Sequence, residues 1–199
     1  PGIRPGAEPP ELRSVVRRLV QRRRIALHLY AELGDEAVDF PLRTQLRNDP
    51  EVTGRAVRAA LGGTVEAQFG WSSEFVAFRT WRESVERLGV LVCQFPGKGV
   101  KEMRGTSILH FPLPVVGISS KELPLSKPFT LLHEVAHLAL AAEEEEFPAL
   151  KENRPEADWL KVERFCEAVA ASALMPKDAF LTDPDIVSQG RHGEWSVES

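Results

Sequence analysis

No stretch of the 199 residues approaches the roughly 20 consecutive apolar positions that cross a bilayer, and the first thirty residues lack a signal-peptide core. That excludes a spanning helix as the organising feature and gives the expectation of a soluble, cytoplasmic protein with no membrane partner. There are only two cysteines, Cys93 and Cys166, far apart and each in an apolar run, so a disulfide-stapled scaffold is excluded and free buried thiols are expected. A strand-loop-helix phosphate loop, an internal repeat and a recurring βαβ pattern are all missing. Nucleotide-cradling, solenoid and doubly wound parallel architectures go with them. The chain also lacks a large charge excess, with a formal net charge of -4, so it is not a nucleic-acid binder by bulk charge.

The remaining sequence is long enough for one domain with a helical annex and its own core. The Pro/Gly-rich opening PGIRPGAEPP reads as a disordered lead over residues 1–10. Residues 11–72 read as an N-terminal helical region packed on the core. Its first helix, from Glu11 to about Leu33, carries Leu12, Val15, Val16, Leu19 and Val20 at helical spacing. Between them stand Arg13, Arg17, Arg18, Arg22, Arg23 and Arg24; the last five are candidate nucleic-acid contacts, with DNA as a candidate activator, against the alternative of a solvated face. A second helix is expected from about Glu51 to Leu61.

Residues 73–182 read as the core. A helix from about Ser73 to Leu88 turns Phe75, Phe78, Trp81, Val85 and Leu88 to one side as a core-facing stripe. VLVCQF, TSILHF and VVGIS then read as three short strands, and helices from about Lys127 to Glu145 and from Ala157 to Leu174 complete an α+β arrangement. The acidic connection containing Glu143 to Glu146 reads as a solvated loop. Residues 183–199 read as a tail whose end, GRHGEWSVES, stops where a helical pattern begins, so a continuation is expected beyond it.

The chemistry concentrates in LLHEVAHLAL. His133 and His137 stand four apart on a helix, so both imidazoles share one face and can reach a single ion. Glu134 lies beside the same ion. Two imidazoles and a carboxylate leave one zinc position for water, which the metal acidifies, and Glu134 is placed as the general base. Leu131, Leu132, Val135, Ala136 and Leu138 make the helix largely buried, where three ionisable groups are costly unless they coordinate or pair. A third ligand is needed. Glu163 and Glu167 fall on one stripe of the next helix, and periodicity leaves open which is the ligand and which orients a ligand histidine.

FTLLHEVAHLAL followed by VERFCEAVAASALMP resembles the ImmA/IrrE family of bacterial zinc metallopeptidases, over about residues 75 to 180. The resemblance implies a mostly helical zincin-like domain with a small sheet of about three strands and an HExxH active-site helix. It implies Zn2+ held by His133, His137 and Glu163, with Glu134 as general base. Glu167 stands where the family usually has asparagine, as a second-shell group or alternative ligand. The implied substrate is a helix-turn-helix repressor, cleaved to relieve repression in a stress-response or phage-defence operon. Some defence-associated relatives are held inactive by a cysteine thiolate on the metal, which makes Cys93 a candidate inhibitory ligand against the alternative of core packing. Arg104, Ser107 and His110 are candidates to line a peptide site along TSILHF, and Tyr30, His110 and His192 are candidate oxyanion donors. The alternatives are a catalytically silent module that sequesters a regulator and a nucleic-acid-sensing subunit.

Overall fold

The computed structural model describes residues 10–97, 103–143, 156–184 and 187. The expected lead over 1–9, the connection from Glu144 onward, and His192 with most of the tail lie outside the described residues. Seven helices and three strands are described: α1 Pro10–Leu33, α2 Pro50–Ala60, α3 Val65–Phe69, α4 Glu74–Arg87, β1 Leu91–Phe95, β2 Gly105–Ile108, β3 Val115–Ser119, α5 Lys127–Glu143, α6 Glu156–Leu174 and α7 Lys177–Thr182.

Side-chain caps account for the starts of α2, α3 and α4. The Asp49 carboxylate accepts from Glu51 N at 2.7 Å and Val52 N at 3.3 Å, with Pro50 in the first turn of α2 where its missing N–H costs nothing. Thr64 and Ser73 cap α3 and α4 in the same manner. Helix α3 escaped the sequence reading because five residues are too few to set up a period. The expected stripe on α4 holds for Phe78, Trp81 and Val85, which are buried, but Phe75 is 65% exposed. Phe75 sits in the first turn, outside the packed stretch that begins at Phe78.

The sheet is mixed, in the order β1-β3-β2. Strand β1 runs parallel to β3 with Leu91 opposite Val115, and β2 runs antiparallel to it with Gly105 opposite Ile118 and Ile108 opposite Val115. The fold is therefore α+β and mostly helical. Central β3 is buried throughout, whereas β2 is an edge strand. Alternation divides the side chains between two cores. Cys93, Phe95, Ile108 and Val115 pack with Val15 and Leu19 of α1 on one face. Val92, Val116 and Ile118 join the larger core with α2, α4, α5 and α6 on the other.

Helix α6 is fixed by α2. A Cβ at Gly54 would lie 2.5 Å from the Ser172 Cβ and 2.7 Å from the Val169 carbonyl oxygen, so the two helices touch through backbone. Arg58, buried and 5.5 Å above the Trp81 ring, donates to the carbonyls of Ala173 at 2.7 Å and Leu174 at 3.3 Å, closing the C-terminus of α6. Gly54→Ala forces these helices apart. It lowers stability by about 1–3 kcal/mol, a fall in melting temperature of roughly 2–12 °C. A thermal melt that matches wild type would contradict this close approach.

Candidate metal centre

Helix α5 lies between the sheet and α6, with Leu131, Leu132, Val135, Ala136 and Leu138 all fully buried. Burying those positions turns His133 and His137 toward α6, where the Nε2 atoms stand 3.1 Å apart. Glu163 rises from α6 to meet both: Oε2 lies 3.4 Å from the Nε2 of His133 and Oε1 lies 3.5 Å from the Nε2 of His137. These are the three groups among the described residues that could together hold a metal ion. Zinc–ligand bonds of about 2.0–2.1 Å in a tetrahedron place neighbouring donors about 3.3 Å apart, and the observed spacings fit that requirement.

The electrostatics agree with a donor set. Burial, then the charge of His133, hold the His137 pKa down at about 4, leaving its imidazole neutral, the form that binds metals. At His133 burial is the largest influence and opposes charge, but the hydrogen bond to Glu163 and the charges of Glu134, Glu163 and Glu167 outweigh it, so its pKa is raised. Glu163 is held below the usual carboxylate range, chiefly by the His133 hydrogen bond, and is ionised. The Nδ1 of His133 is buried with no hydrogen-bond partner among the described residues.

The carboxylate of Glu134, next to His133 in the chain, lies against β2. Burial pushes its pKa up to about 7, opposed by the charge of His133 and a hydrogen bond from the Ser107 hydroxyl. The room for its carboxylate comes from Gly105, where a Cβ would lie 2.7 Å from Glu134 Oε1 and 2.7 Å from Thr130 Cγ2. Thr130 is itself buried and donates to Glu122 Oε1 at 3.3 Å. Gly105 and Thr130 were not among the residues singled out from sequence. Thr130 carried a signal, standing four residues before Glu134 on the same helical face, but Gly105 carried none, because only the β2–α5 contact gives it meaning.

A carboxyl whose pKa rises from 4.5 to about 7 on folding holds its proton more tightly in the folded state. Its contribution to stability is therefore full below pH 4.5 and is lost as the pH climbs through 7. Glutamine stays neutral throughout. Metal-free wild type and Glu134→Gln thus melt close together at pH 5, and the variant melts higher at pH 8 by about 3 kcal/mol, or roughly 6–12 °C. The comparison cancels the opposing titration of His137. Melts in chelator that keep a constant gap across this range would contradict the buried carboxylate with its raised pKa.

Other candidate residues are distributed as follows. Glu167 is exposed one turn beyond Glu163 and stands outside the three-donor cluster. Cys93 packs away from the metal side: β1 alternation puts Val92 in the core shared with α5 and Cys93 among Val15 and Leu19 beneath α1, the core-packing alternative for this thiol. Cys166, on α6, is fully buried, and burial pushes its thiol far up. Ser107 meets Glu134, whereas Arg104 borders a neighbouring surface hollow of about 360 Å³ with Lys121 and Ser126. His110 follows β2, and Tyr30 sits on α1, which covers the other face of the sheet. Arg23 is tied down, donating to Pro112 O at 2.7 Å and Leu113 O at 3.0 Å, and Arg22 reaches Gln94 O at 3.3 Å. Arg17, Arg18 and Arg24 remain exposed on α1.

No helix among the described residues is long and apolar enough to cross a membrane. No curated protein matches the chain. The model of the Peptidase M78 family, the IrrE N-terminal-like domain, matches residues 85–185, which include the sheet, both metal-facing helices and α7. With that match over just over half of its length, and with its two histidines and glutamate gathered inside the matched region, the chain belongs to the Peptidase M78 family of metallopeptidases.

Proposed function

We propose that the protein is a zinc-dependent endopeptidase that cleaves a helix-turn-helix transcriptional repressor, with Glu134 as its general base. The observation that carries the peptidase reading is the His133, His137 and Glu163 cluster, spaced for one tetrahedral ion, beside a buried carboxylate and an edge strand. Zinc is favoured among divalent ions by the two-imidazole, one-carboxylate donor set. The repressor substrate rests on the family resemblance alone. Two unpaired cysteines suit a cytoplasmic location.

The ion, when bound, acidifies a water and polarises the scissile carbonyl. His133, His137 and Glu163 would hold it. The outer edge of β2, unpaired among the described residues, accepts an extended peptide as an added strand, which fixes a carbonyl beside the centre. Glu134 takes the proton of the attacking water on its carboxylate, which burial has made more basic, and delivers it to the amide nitrogen as the C–N bond breaks. Ser107 and the gap at Gly105 hold that carboxylate against β2.

Incubating the zinc-loaded protein with the repressor encoded beside it, and reading products by mass spectrometry, tests the proposal. A single cut by wild type and none by Glu134→Gln is the expected result. A stable complex with no product from the zinc-loaded wild type would replace this reading with the sequestering module.

A further inference from the structure

Helix α1 is longer than its bed. Its buried residues, Leu12, Val15 and Leu19, all lie in its first half, where it covers the sheet. The second half contributes no buried side chain, yet it carries Ile25, Leu29 and Leu33 at intervals of four, exposed by 50%, 54% and 73%. Its inner side is only half-buried, at Arg23, Ala26, Leu27 and Tyr30, so Ile25, Leu29 and Leu33 form a second apolar stripe turned outward, the kind of face that helices in proteins ordinarily bury.

The charges around this stripe identify what covers it. Before Ile25 the helix is basic, with Arg17, Arg18, Arg22 and Arg24 exposed. From Ile25 to Ala31 the only ionisable side chains are His28 and Tyr30. After it come Glu32, Asp35, Glu36 and Asp39 with no lysine or arginine among them. A positive block, an apolar centre and a negative block in one segment are complementary to the same segment run in reverse. Under a two-fold axis the basic block of each copy meets the acidic block of the other, whereas parallel pairing sets like charge on like.

We infer that the chain forms a symmetric dimer through antiparallel pairing of the second half of α1, with Leu29 at the two-fold axis. Ile25 then packs against the partner's Leu33, and Arg22 and Arg24 face the partner's Asp35 and Glu36. The surface lies on α1, away from His133 and His137 on α5, so the inference stands independently of the peptidase reading. It also assigns Arg22 and Arg24 a protein partner rather than nucleic acid.

Sedimentation at micromolar concentration tests it, with oxidative cross-linking of Leu29→Cys. Wild type sediments at twice the chain mass of 22.1 kDa and Leu29→Glu at the chain mass with an unchanged circular dichroism spectrum. Leu29→Cys gives a covalent dimer that Arg22→Cys, held off the axis, does not. Arg22→Glu combined with Arg24→Glu weakens the dimer, and adding Asp35→Arg with Glu36→Arg restores it. A monomeric wild type, a dimer indifferent to Leu29→Glu, or a dimer in which Leu29→Cys fails to cross-link overturns the inference, as does a wild type that dimerises only on added DNA.

Discussion

Replacing Glu134 by glutamine lowers the turnover of peptide cleavage by about 10²- to 10⁴-fold while the protein keeps its metal. The size follows from what the substitution removes. Glutamine fills the same space beside Gly105 and can still accept from the Ser107 hydroxyl, so the packing of α5 against β2 is undisturbed. It cannot take a proton from water at neutral pH. The three groups that gather at the metal centre are untouched, since Glu134 is not one of them and its carboxylate rests against β2. Metal content by elemental analysis and single-turnover cleavage, measured on one preparation, separate the two effects. Glu134→Gln that cleaves like wild type sinks the general-base assignment, and a variant that has lost its metal sinks the placement of Glu134 outside the ligand set.

Gly105→Ala makes the same point from the strand side. Its added methyl would lie 2.7 Å from Glu134 Oε1, so the carboxylate must move while the metal donors need not. The expected signature is a fall of about tenfold or more in turnover, because small misplacements of a catalytic group are costly. Metal content is retained, and a lost metal would instead mean that α5 itself had shifted.

What the sequence made legible was everything governed by local spacing. The four-residue interval between His133 and His137 put both rings on one face, and the apolar positions around them, Leu131 to Leu138, placed that face on a buried helix. The three strands were likewise visible as short β-branched runs. Two questions remained open because their answers lie between elements. Alternation along β1 says that Val92 and Cys93 face opposite ways, but not which of them meets α5; the order β1-β3-β2 and the seating of α1 decide it, and they send Cys93 to the α1 side. Glu163 and Glu167 share a helical stripe one turn apart, and only the axial position of α6 against α5 selects between them. That position is set by the Gly54 contact and by Arg58 at the end of α6, partners more than a hundred residues away along the chain. On the Arg-rich helix, too, spacing alone did not show that Arg23 places its guanidinium on the Pro112 and Leu113 carbonyls.

The register of α6 leads to the second large effect. Glu163→Ala weakens zinc binding by more than about 100-fold, beyond the 10–100-fold that losing a group outside the ligand set costs, whereas Glu167→Ala stays within that smaller range. Glu163 places one oxygen 3.4 Å from His133 and the other 3.5 Å from His137, and without it two neighbouring imidazoles are left as the only donors of the three-group cluster. Glu167 is exposed and touches the centre through its charge on His133. Competition against a chelating dye gives the affinities directly. Thermal melts give an independent readout, because an ion that binds only the folded state raises the melting temperature with concentration. Wild type and Glu167→Ala are stabilised by added zinc, and Glu163→Ala is not. The reverse order would move the third ligand one turn along α6 and require α5 and α6 to be shifted by about 5.4 Å relative to their observed packing.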